Sequence, residues 1–428
     1  MTRLAALSVI LELAVLGACG SSSDTIVSPP PATLTIIAGN NQSANVRGSL
    51  SDPLAIAVTT PDGAGVAGVA VQWTVTKGGG TLSASSVLTD GQGRASVIWT
   101  LGDAAGNQSV AATGTGLVGS PVNFSASATA PIVLHYDGTA WTTALEDVNG
   151  ARASLASIWG ATASAVFAVG GSCNGSLALQ YDGTAWSQLP PSCVGTSLAK
   201  TTSVWGSSAS DVFATYIISL PPRAGGNILH YDGQQWRSVY ALPCPSGILC
   251  PAYKAVWSSS LSDAFAVGAG GMIGHYDGTN WNPQASGTTG VLNAVWGVGP
   301  AGAVFAVGGG GTILYYDRTT WRAQTSGTSQ PLYAVWGTSA NDVFAVGESG
   351  TILHYDGTAW TAQNSGTPQP LYGIWGSSSN AVFAVGGAST IVYYDGAQWS
   401  AQTTSASMNL SGVWGSSPVN VFAVGAPR

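Results

Sequence analysis

A Tyr-Asp step recurs seven times after residue 130 and supplies a regular series of carboxylates. The series is Asp137, Asp182, Asp232, Asp277, Asp317, Asp356 and Asp395. Two carboxylates about 5–10 Å apart across one sugar could hydrolyse a glycosidic bond. Gly follows the Asp in six copies, and Arg318 follows it in the other. Because Asp-Gly favours a tight hairpin turn, we interpret these carboxylates as turn residues, one in each copy of a repeat.

The four histidines could bind a metal only if folding brought them together. His135, His230, His275 and His354 each precede a Tyr-Asp step. Repeat symmetry would spread them over separate copies, whereas a metal centre needs convergent ligands. We therefore predict no metal site and no cofactor. The glycine run at residues 308–311 lacks the Lys-Ser/Thr of a phosphate-binding loop and is interpreted as a hairpin loop.

These residues belong to a repeated unit of about 40 residues, which is most complete at residues 335–360, VWGTSANDVFAVGESGTILHYDGTAW. The first tryptophan of each copy is Trp159, Trp205, Trp257, Trp296, Trp336, Trp375 or Trp414. The second tryptophan is Trp141, Trp186, Trp236, Trp281, Trp321, Trp360 or Trp399. A period near 40 with several short strands per copy is typical of a β-propeller.

Residues 131–428 are predicted to form the propeller. Within a copy, the Trp-Gly segment would be the innermost strand, Val-Phe-Ala-Val the second and Ile-Leu-His-Tyr the third, with the second tryptophan on the outer edge. The segment opens with half a unit, residues 132–141, and closes with the complementary half, residues 413–425. Pairing these halves would remove the open sheet edges. We therefore predict a seven-bladed β-propeller closed by its N- and C-terminal strands.

The Tyr-Asp-Gly-Thr-x-Trp pattern resembles in part the Asp-box hairpin of sialidase-type propellers. Asp-boxes place a residue between Asp and Gly and keep a Ser before the Asp, and this chain does neither. The resemblance therefore implies the blade architecture and not the enzyme activity. The arginine triad that sialidases require is also not visible in the repeats.

Residues 33–130 have a different pattern, in which apolar residues alternate with smaller or polar ones between Gly, Asp and Pro turns. Alternation of this kind predicts half-buried strands of an antiparallel sandwich, packed around Trp73 and Trp99. The motif order PDG at residues 61–63, GGGTL at 78–82, TDGQGRA at 89–95 and WTLG at 99–102 resembles a bacterial Ig-like domain of the invasin/intimin type. That resemblance implies extracellular display, and it assigns no binding residue.

Residues 1–19 combine Arg3, an apolar run and the ending Leu-Gly-Ala-Cys. This ending resembles the lipobox of bacterial lipoproteins, in which the cysteine is acylated, so Cys19 would carry a lipid anchor. An ordinary signal peptide cut near Ala18 is the alternative. Residues 20–32 form a Ser/Pro-rich tether. The expected location is the cell envelope, with the chain lipid-anchored to the outer membrane or cell surface, or alternatively secreted.

Composition excludes some classes of function. Only 7% of the 428 residues are charged, the net charge is −7, and 45% are hydrophobic. A nucleic-acid-binding protein needs clustered basic residues, so we predict no nucleic-acid partner. The four cysteines after Cys19 predict disulfides in an oxidising compartment, Cys173 with Cys193 and Cys244 with Cys250, although four cysteines allow three connectivities. We expect a monomer.

Unequal spacings single out the first copies. From Phe to Tyr-Asp the distance is 11 residues in the last four complete copies, but 14 from Phe167 and 18 from Phe213. From the second tryptophan to the next first tryptophan it is 15 in the last four copies, but 18, 19 and 21 in the first three. In a propeller all five extended loops open on one face. We predict a ligand site there; drift in redundant repeats is the alternative. Its candidate residues are Lys200, Arg223, Tyr240 and Tyr253.

The pattern as a whole favours an all-β, surface-anchored, non-enzymatic binding or adhesion protein. Its partner would be a protein or glycan at the cell surface, and the membrane would be reached through the lipid. A polysaccharide-active propeller hydrolase or lyase is the first alternative, and a periplasmic assembly factor that grips a partner protein is the second.

Overall fold

The computed structural model describes residues 32–103, 105–146, 153–172, 175–189, 199–218, 225–242 and 252–427. Within these ranges the elements are β-strands and four short 3-10 turns. The first ten strands are β1 (Thr33–Ala38), β2 (Gln42–Asn45), β3 (Leu54–Thr59), β4 (Ala70–Lys77), β5 (Gly80–Leu82), β6 (Ser86–Leu88), β7 (Arg94–Val97), β8 (Trp99–Leu101), β9 (Gly106–Gly114) and β10 (Val122–Thr129).

The first ten strands enclose one core between a three-stranded sheet, β1-β3-β7, and a five-stranded sheet, β2-β10-β9-β4-β6. The strands β5 and β8 form a separate pair. Trp73 and Trp99 are both buried in this core, and the ring of Trp73 lies 5.6 Å from that of Phe124. The expected alternation therefore produces the core, because every second residue of these strands points inward.

One pairing in this region differs from the expected antiparallel pattern. Strands β2 and β10 are parallel, with Ala126 opposite Gln42. Only residues 39–41 separate β1 from β2, and the two strands belong to different sheets. The chain thus crosses from one sheet to the other at Gly39, where φ is +84°, without the hairpin that an antiparallel neighbour requires.

The remaining 28 strands form seven four-stranded antiparallel sheets in the described residues. Sheet I contains β13 (Ser154–Thr162), β14 (Ala165–Ser172), β15 (Gly175–Tyr181) and β16 (Trp186–Gln188); sheet II contains β17 (Ala199–Ser208), β18 (Asp211–Ile218), β19 (Gly225–Tyr231) and β20 (Trp236–Ala241); sheet III contains β21 (Tyr253–Ser260), β22 (Asp263–Gly268), β23 (Ile273–Tyr276) and β24 (Trp281–Gln284); sheet IV contains β25 (Leu292–Gly297), β26 (Val304–Gly308), β27 (Ile313–Tyr316) and β28 (Trp321–Gln324).

Sheet V contains β29 (Leu332–Ser339), β30 (Asp342–Gly347), β31 (Ile352–Tyr355) and β32 (Trp360–Gln363); sheet VI contains β33 (Leu371–Ser378), β34 (Ala381–Gly386), β35 (Ile391–Tyr394) and β36 (Trp399–Gln402); sheet VII contains β37 (Met408–Ser417), β38 (Asn420–Pro427), β11 (Pro131–Tyr136) and β12 (Trp141–Glu146). The 3-10 turns are Ala269–Gly271, Gly309–Gly311, Glu348–Gly350 and Gly387–Ser389. The glycine run at residues 308–311 is thus the end of β26 and one of these turns.

Sheet VII joins the two ends of the repeated segment. Strand β11 pairs antiparallel with β38, with Leu134 opposite Ala423 and Tyr136 opposite Val421. His135 Nε2 also lies 2.7 Å from Asn420 Oδ1 across this seam. The complementary half-units therefore complete one sheet between them.

The second strand of each sheet is buried on both faces. In β30, for example, Val343, Phe344, Ala345 and Val346 are all 0% exposed. An unbroken apolar run of this length fits only a strand that has a neighbouring sheet on either side. The Val-Phe-Ala-Val segment therefore forms the layer that packs one sheet on the next.

Aromatic contacts join each sheet to the following one. Phe344 of sheet V packs edge-on against Trp399 of sheet VI, with ring centroids 6.2 Å apart. Phe383 of sheet VI makes the same contact with Trp141 of sheet VII, and Phe422 of sheet VII makes it with Trp186 of sheet I. The recurring Phe and the second tryptophan are therefore partners at six interfaces of the described residues, and T-shaped pairs of this kind favour one fixed spacing between sheets.

Candidate functional site

The strand directions place the extended loops on one face. Because each sheet is antiparallel, the first strand begins at the same edge as the hairpin that joins the second and third strands. We call this the loop face. In sheets I and II that hairpin is a long ladder, which reaches Ile218 opposite Gly225 in sheet II. In sheets III to VI it is a compact 3-10 turn. The extra residues inferred from the spacing therefore lengthen β14, β15, β18 and β19.

A β-bulge recurs in the innermost strand of every sheet, three residues before the first tryptophan. The register shifts there in all seven innermost strands of the described residues, for example between Leu332 and Ala334 in sheet V. A bulge re-aims the side chain of its extra residue. The seven bulge residues all line the opening of a central channel at the loop face. They are Ala156, Thr202, Lys254, Asn293, Tyr333, Tyr372 and Ser411.

The bulge residues, which we call the mouth ring, differ strongly from one sheet to the next. Sheets III to VI contribute Lys254, Asn293, Tyr333 and Tyr372, whereas sheets VII, I and II contribute small side chains. The tryptophans three residues further on do not vary. The repeat therefore keeps its packing residues uniform and varies the side chains that face the opening.

Hydrogen bonds hold the polar half of the mouth ring in place. Lys254 Nζ donates to Asn293 Oδ1 over 3.0 Å, and Asn293 Nδ2 donates to the carbonyl oxygen of Leu332 over 2.9 Å. Lys254 is an exposed residue. A ligand would therefore meet a lysine whose position is already fixed by its neighbour, which lowers the entropy lost on binding.

Tyr333 and Tyr372 form the aromatic half of the mouth ring. Their ring centroids are 5.3 Å apart, and Tyr372 is 37% exposed. The hydroxyl of Tyr333 donates to Glu348 Oε2 over 2.7 Å. This hydrogen bond, together with burial, raises the pKa of Tyr333 to about 12, so the hydroxyl stays protonated. Tyr333 thus supports the exposed ring of Tyr372 and is not an acid or base near neutral pH.

The channel below the ring is narrow, with a polar rim and an apolar deeper layer. Its volume is about 160 Å³, which exceeds the space that a single water molecule needs. Small side chains such as Ala255, Ala294 and Ala334 line the upper wall. A layer of branched residues follows: Ile158, Val204, Val256, Val295, Val335, Ile374 and Val413. The described residues lining the channel include no Asp or Glu, so two carboxylates do not converge there.

The predicted site residues fall in different places. Lys200 is exposed at the start of β17, and its side chain lies over Gly171 of sheet I. Tyr240 and Tyr253 are brought together, with ring centroids 6.1 Å apart, and both contact Trp281. Arg223, Cys19 and the predicted pairs Cys173–Cys193 and Cys244–Cys250 lie outside the described residues.

Tyr253 is a core residue and not a surface contact. It is only 3% exposed, and burial raises its pKa to about 12. It occupies the position that Leu332 holds in sheet V, while Gly274 replaces the leucine found at Leu353. A Cβ on Gly274 would lie 2.6 Å from the hydroxyl of Tyr253. The large tyrosine therefore fills the space that the missing leucine leaves.

Tyr240 also has a packing role. In sheets III to V a glutamine accepts a hydrogen bond from the second tryptophan of the next sheet, as Gln324 Oε1 does from Trp360 Nε1 over 2.7 Å. Tyr240 lies opposite Ile228, the register position that Gln324 holds opposite Ile313. Its ring packs on Trp281, whose indole N–H consequently has no partner among the described residues.

The repeated histidines and aspartates form local contacts within their own sheets. His354 Nε2 lies 2.7 Å from Asp342 Oδ1, and the imidazole stacks on Phe344 at 4.3 Å. Asp356 Oδ1 accepts hydrogen bonds from the hydroxyl and N–H of Thr358 and from the N–H of Ala359. The Tyr-Asp carboxylates are therefore turn residues, and the groups that could hold a metal do not cluster in the described part of the chain.

Arg318 replaces the glycine that follows Tyr-Asp in the other six copies, and its side-chain contacts compensate for the turn conformation. Its φ is +72°, a conformation that favours glycine. The side chain crosses to sheet III, where Nη1 donates to Asp263 Oδ1 over 2.8 Å and the guanidinium lies 5.3 Å from the centroid of Phe265. Burial opposes ionisation of Asp263, but hydrogen bonds from His275, Arg318 and Ser259 lower its pKa below the usual range.

Sequence reasoning missed the mouth ring, although the sequence contains a signal for it. When the copies are aligned on the first tryptophan, the position three residues earlier reads Ala, Thr, Lys, Asn, Tyr, Tyr and Ser. Its neighbours are repetitive. Only the bulge shows that this variable position faces the opening, because an unbroken strand would alternate its side chains differently.

Comparison with known proteins agrees with this architecture. No protein-family model and no curated protein matches the chain. The solved structure of YCF48 bound to D1 peptide is similar over 64% of this chain and 91% of its own, with 18% identity and a TM-score of 0.51. YCF48 from Cyanidioschyzon merolae is similar over 65% and 94%, with 17% identity and a TM-score of 0.50. Together with the repeated four-stranded sheets, these likenesses show an all-β chain with a β-propeller.

The described residues contain no helix with the length and hydrophobicity needed to span a membrane.

Proposed function

We propose that the chain is a surface-anchored, non-enzymatic binding protein that meets its partner at the loop face of the propeller. The observation that carries this proposal is the mouth ring. Lys254, Asn293, Tyr333 and Tyr372 replace one another at equivalent positions of a repeat whose packing residues hardly change. Packing does not require this variation, whereas recognition of an asymmetric ligand does.

The proposal includes the finer architecture. Seven four-stranded sheets in the described residues, joined through β11 and β38, support a seven-bladed propeller. The two sheets that enclose Trp73 and Trp99 support a bacterial Ig-like spacer over residues 33–130. In this arrangement the spacer holds the propeller away from the surface to which the chain is attached.

The anchor is a lipid on Cys19, in the outer membrane or at the cell surface. The apolar run, the Leu-Gly-Ala-Cys ending and the Ser/Pro-rich tether support it. Mass spectrometry of the mature N-terminus tests this proposal: an acylated residue 19 is expected. An unmodified residue 19, or cleavage near Ala18 with release of the protein, would leave the chain secreted.

The channel gives little support to a polysaccharide hydrolase or lyase. Such enzymes need at least two acidic or basic groups that converge on the substrate. The lining described above lacks Asp and Glu, and of the extended loops only the one between Trp141 and Trp159 contains acids, Glu146 and Asp147. Glu348, the acid beside the mouth ring, is engaged by the hydroxyl of Tyr333.

One observation favours a periplasmic assembly factor as the second candidate. YCF48, the propeller to which this chain is similar, has been solved with a D1 peptide bound. A chain of this second kind would grip one partner protein and would not bind glycans.

A binding screen with the chain lacking residues 1–19 tests the proposed function. Envelope proteins and a glycan array would be offered to the wild type and to a Lys254→Gln/Tyr372→Ala variant. We expect at least one specific partner, whose binding the double variant loses. The matched control is Leu261→Ser, which changes a residue 63% exposed in the hairpin between β21 and β22, on the opposite face. A partner that binds both variants equally would contradict a site at the mouth ring.

A further inference from the structure

The lysines of the loop face differ from the arginines among the basic residues of the propeller that the structure describes. Three arginines form ion pairs: Arg237 with Asp232, Arg318 with Asp263 and Arg322 with Asp317. Lys200 and Lys254 form none with any described residue. In a chain with a net charge of −7, two unpaired ammonium groups on one face attract an anionic partner.

Lys254 is placed better than Lys200 to bind such a partner. Its ammonium group has a neutral amide oxygen, that of Asn293, as its neighbour, so a carboxylate can approach without displacing an existing counter-ion. A hydrogen bond between ammonium and carboxylate is about twice as strong as a neutral one. Lys200, in contrast, lies over Gly171 away from the channel.

The cavity beside Lys254 selects an apolar group. Ala255, Ala294 and Ala334 form its upper wall on the side of sheets III to V, where Lys254 lies, while two serines and two glycines complete the wall in the other sheets. The layer of Val and Ile residues lies deeper. A sugar placed against the layer of Val and Ile residues would lose water from hydroxyls that find no side-chain partner, at a cost of about 1–3 kcal/mol each. An aliphatic or aromatic side chain has no such cost. The exposed ring of Tyr372 extends this apolar surface outward.

We propose that the mouth ring binds a peptide segment of a partner protein, with an Asp or Glu carboxylate on Lys254 and a neighbouring apolar side chain in the channel below Tyr333 and Tyr372. This inference rests on the proposed binding function and names its ligand class. The polar rim fixes the acidic residue, and the cavity selects its neighbour. Lys254 alone would accept any anion, and the cavity alone would accept any apolar group, so specificity requires both.

A displayed library of random short peptides, selected on the chain lacking residues 1–19, tests the ligand class. We expect the enriched sequences to contain an apolar residue next to Asp or Glu. Synthetic copies of an enriched peptide should bind roughly tenfold more weakly when the acid is changed to its amide. That difference should vanish in Lys254→Gln and persist in Lys200→Gln, the matched control. Tyr372→Ala should weaken both peptides.

A panel of acidic and neutral polysaccharides, offered in parallel, separates the possible failures. Binding of a polysaccharide without enrichment of peptides would overturn the peptide inference and leave the binding function standing. Enriched peptides whose acid-to-amide difference survives Lys254→Gln would also overturn it. If neither peptides, polysaccharides nor envelope proteins bind, the inference and the proposed function both fail.

Discussion

The indole of Trp414, in the last sheet, lies directly over Gly160, in the first. A Cβ built on Gly160 would be 2.5 Å from Cη2 of Trp414, closer than real Cβ contacts allow. The same relation holds at five further interfaces of the described residues, for example between Trp336 and Gly376. The Trp-Gly step is therefore an interlock, in which the tryptophan of one sheet packs on the glycine of the next sheet at six interfaces of the described residues.

Gly160→Ala should destabilise the propeller. The added methyl group has no room beside Trp414, and overpacking of this kind typically costs about 1–3 kcal/mol. The midpoint of denaturant unfolding, followed by tryptophan fluorescence, measures the change. Gly309→Ala is the control, because a Cβ there would meet only one atom, at 3.9 Å, and φ is not positive. Equal midpoints for the two variants would refute the interlock.

Ser258→Gly should stabilise the protein. Ser258 stands where six other sheets have the interlocking glycine, and its buried hydroxyl has no hydrogen-bond partner among the described residues. Trp205, the tryptophan of the preceding sheet, is half-buried, whereas the other six first tryptophans are buried. Removing the hydroxyl should recover about 1 kcal/mol, since an unpaired buried hydroxyl costs about 1–3 kcal/mol and glycine costs up to about 1.

Comparing two substitutions at residue 258 separates the causes. Ser258→Ala removes the hydroxyl but keeps the Cβ, and Ser258→Gly removes both. A further rise in melting temperature and a blue shift of tryptophan emission in the glycine variant alone would show that Trp205 has moved into the interlock. If both variants are less stable than the wild type, the serine has a partner that the described contacts do not include.

Leu134→Ala and Leu353→Ala should cost the same if the ring is closed. The two leucines occupy equivalent positions in the third strand of sheets VII and V, opposite Ala423 and Ala345, and both are buried. Truncating a buried leucine costs about 2–5 kcal/mol. Chemical denaturation of both variants makes the comparison. A cost for Leu134→Ala well below that for Leu353→Ala would mean that β11 frays from β38 and that the seam is open.

Acid should weaken the turns of the propeller. In Asp137, Asp182 and Asp356, hydrogen bonds from the neighbouring threonine hydroxyl and from backbone N–H groups lower the pKa from 3.8 to about 2. Because the folded pKa lies below the unfolded one, the carboxylates stabilise the fold above about pH 4. That contribution is lost as the pH falls through about 2.

Asp356→Asn isolates the charge, because the amide oxygen can still accept the turn hydrogen bonds. At pH 7 the variant should be less stable than the wild type, and the gap should close as the pH approaches 2. Denaturation midpoints at several pH values between 2 and 7 make the measurement. A gap that does not change with pH would show that the ionised form has no advantage in this turn.

Much of the fold could be predicted from the repeat. Trp336, Phe344 and Trp360 recur at fixed spacing because each fits a defined place in the interface between sheets. The half-units at residues 132–141 and 413–425 complement each other, and they therefore predict the sheet that joins the two ends. The candidate site was harder to predict from the sequence than the fold. Tyrosine is a common binding residue, and Tyr253 is therefore a candidate. It is buried in the core instead, because it fills the space left by Gly274. The direction of Lys254 depends on a bulge that no local pattern marks.

The pairing of β11 with β38 in sheet VII also delays the completion of that sheet during synthesis of the chain. His135 and Asn420, which meet there, are 285 residues apart. At roughly 5–20 residues per second, the ribosome needs about 15–60 seconds to deliver the second after the first. Throughout that interval β11 and β12 are a hairpin without a neighbour. Completion of sheet VII therefore waits until β38 has been made, whereas each of sheets I to VI can form from consecutive strands.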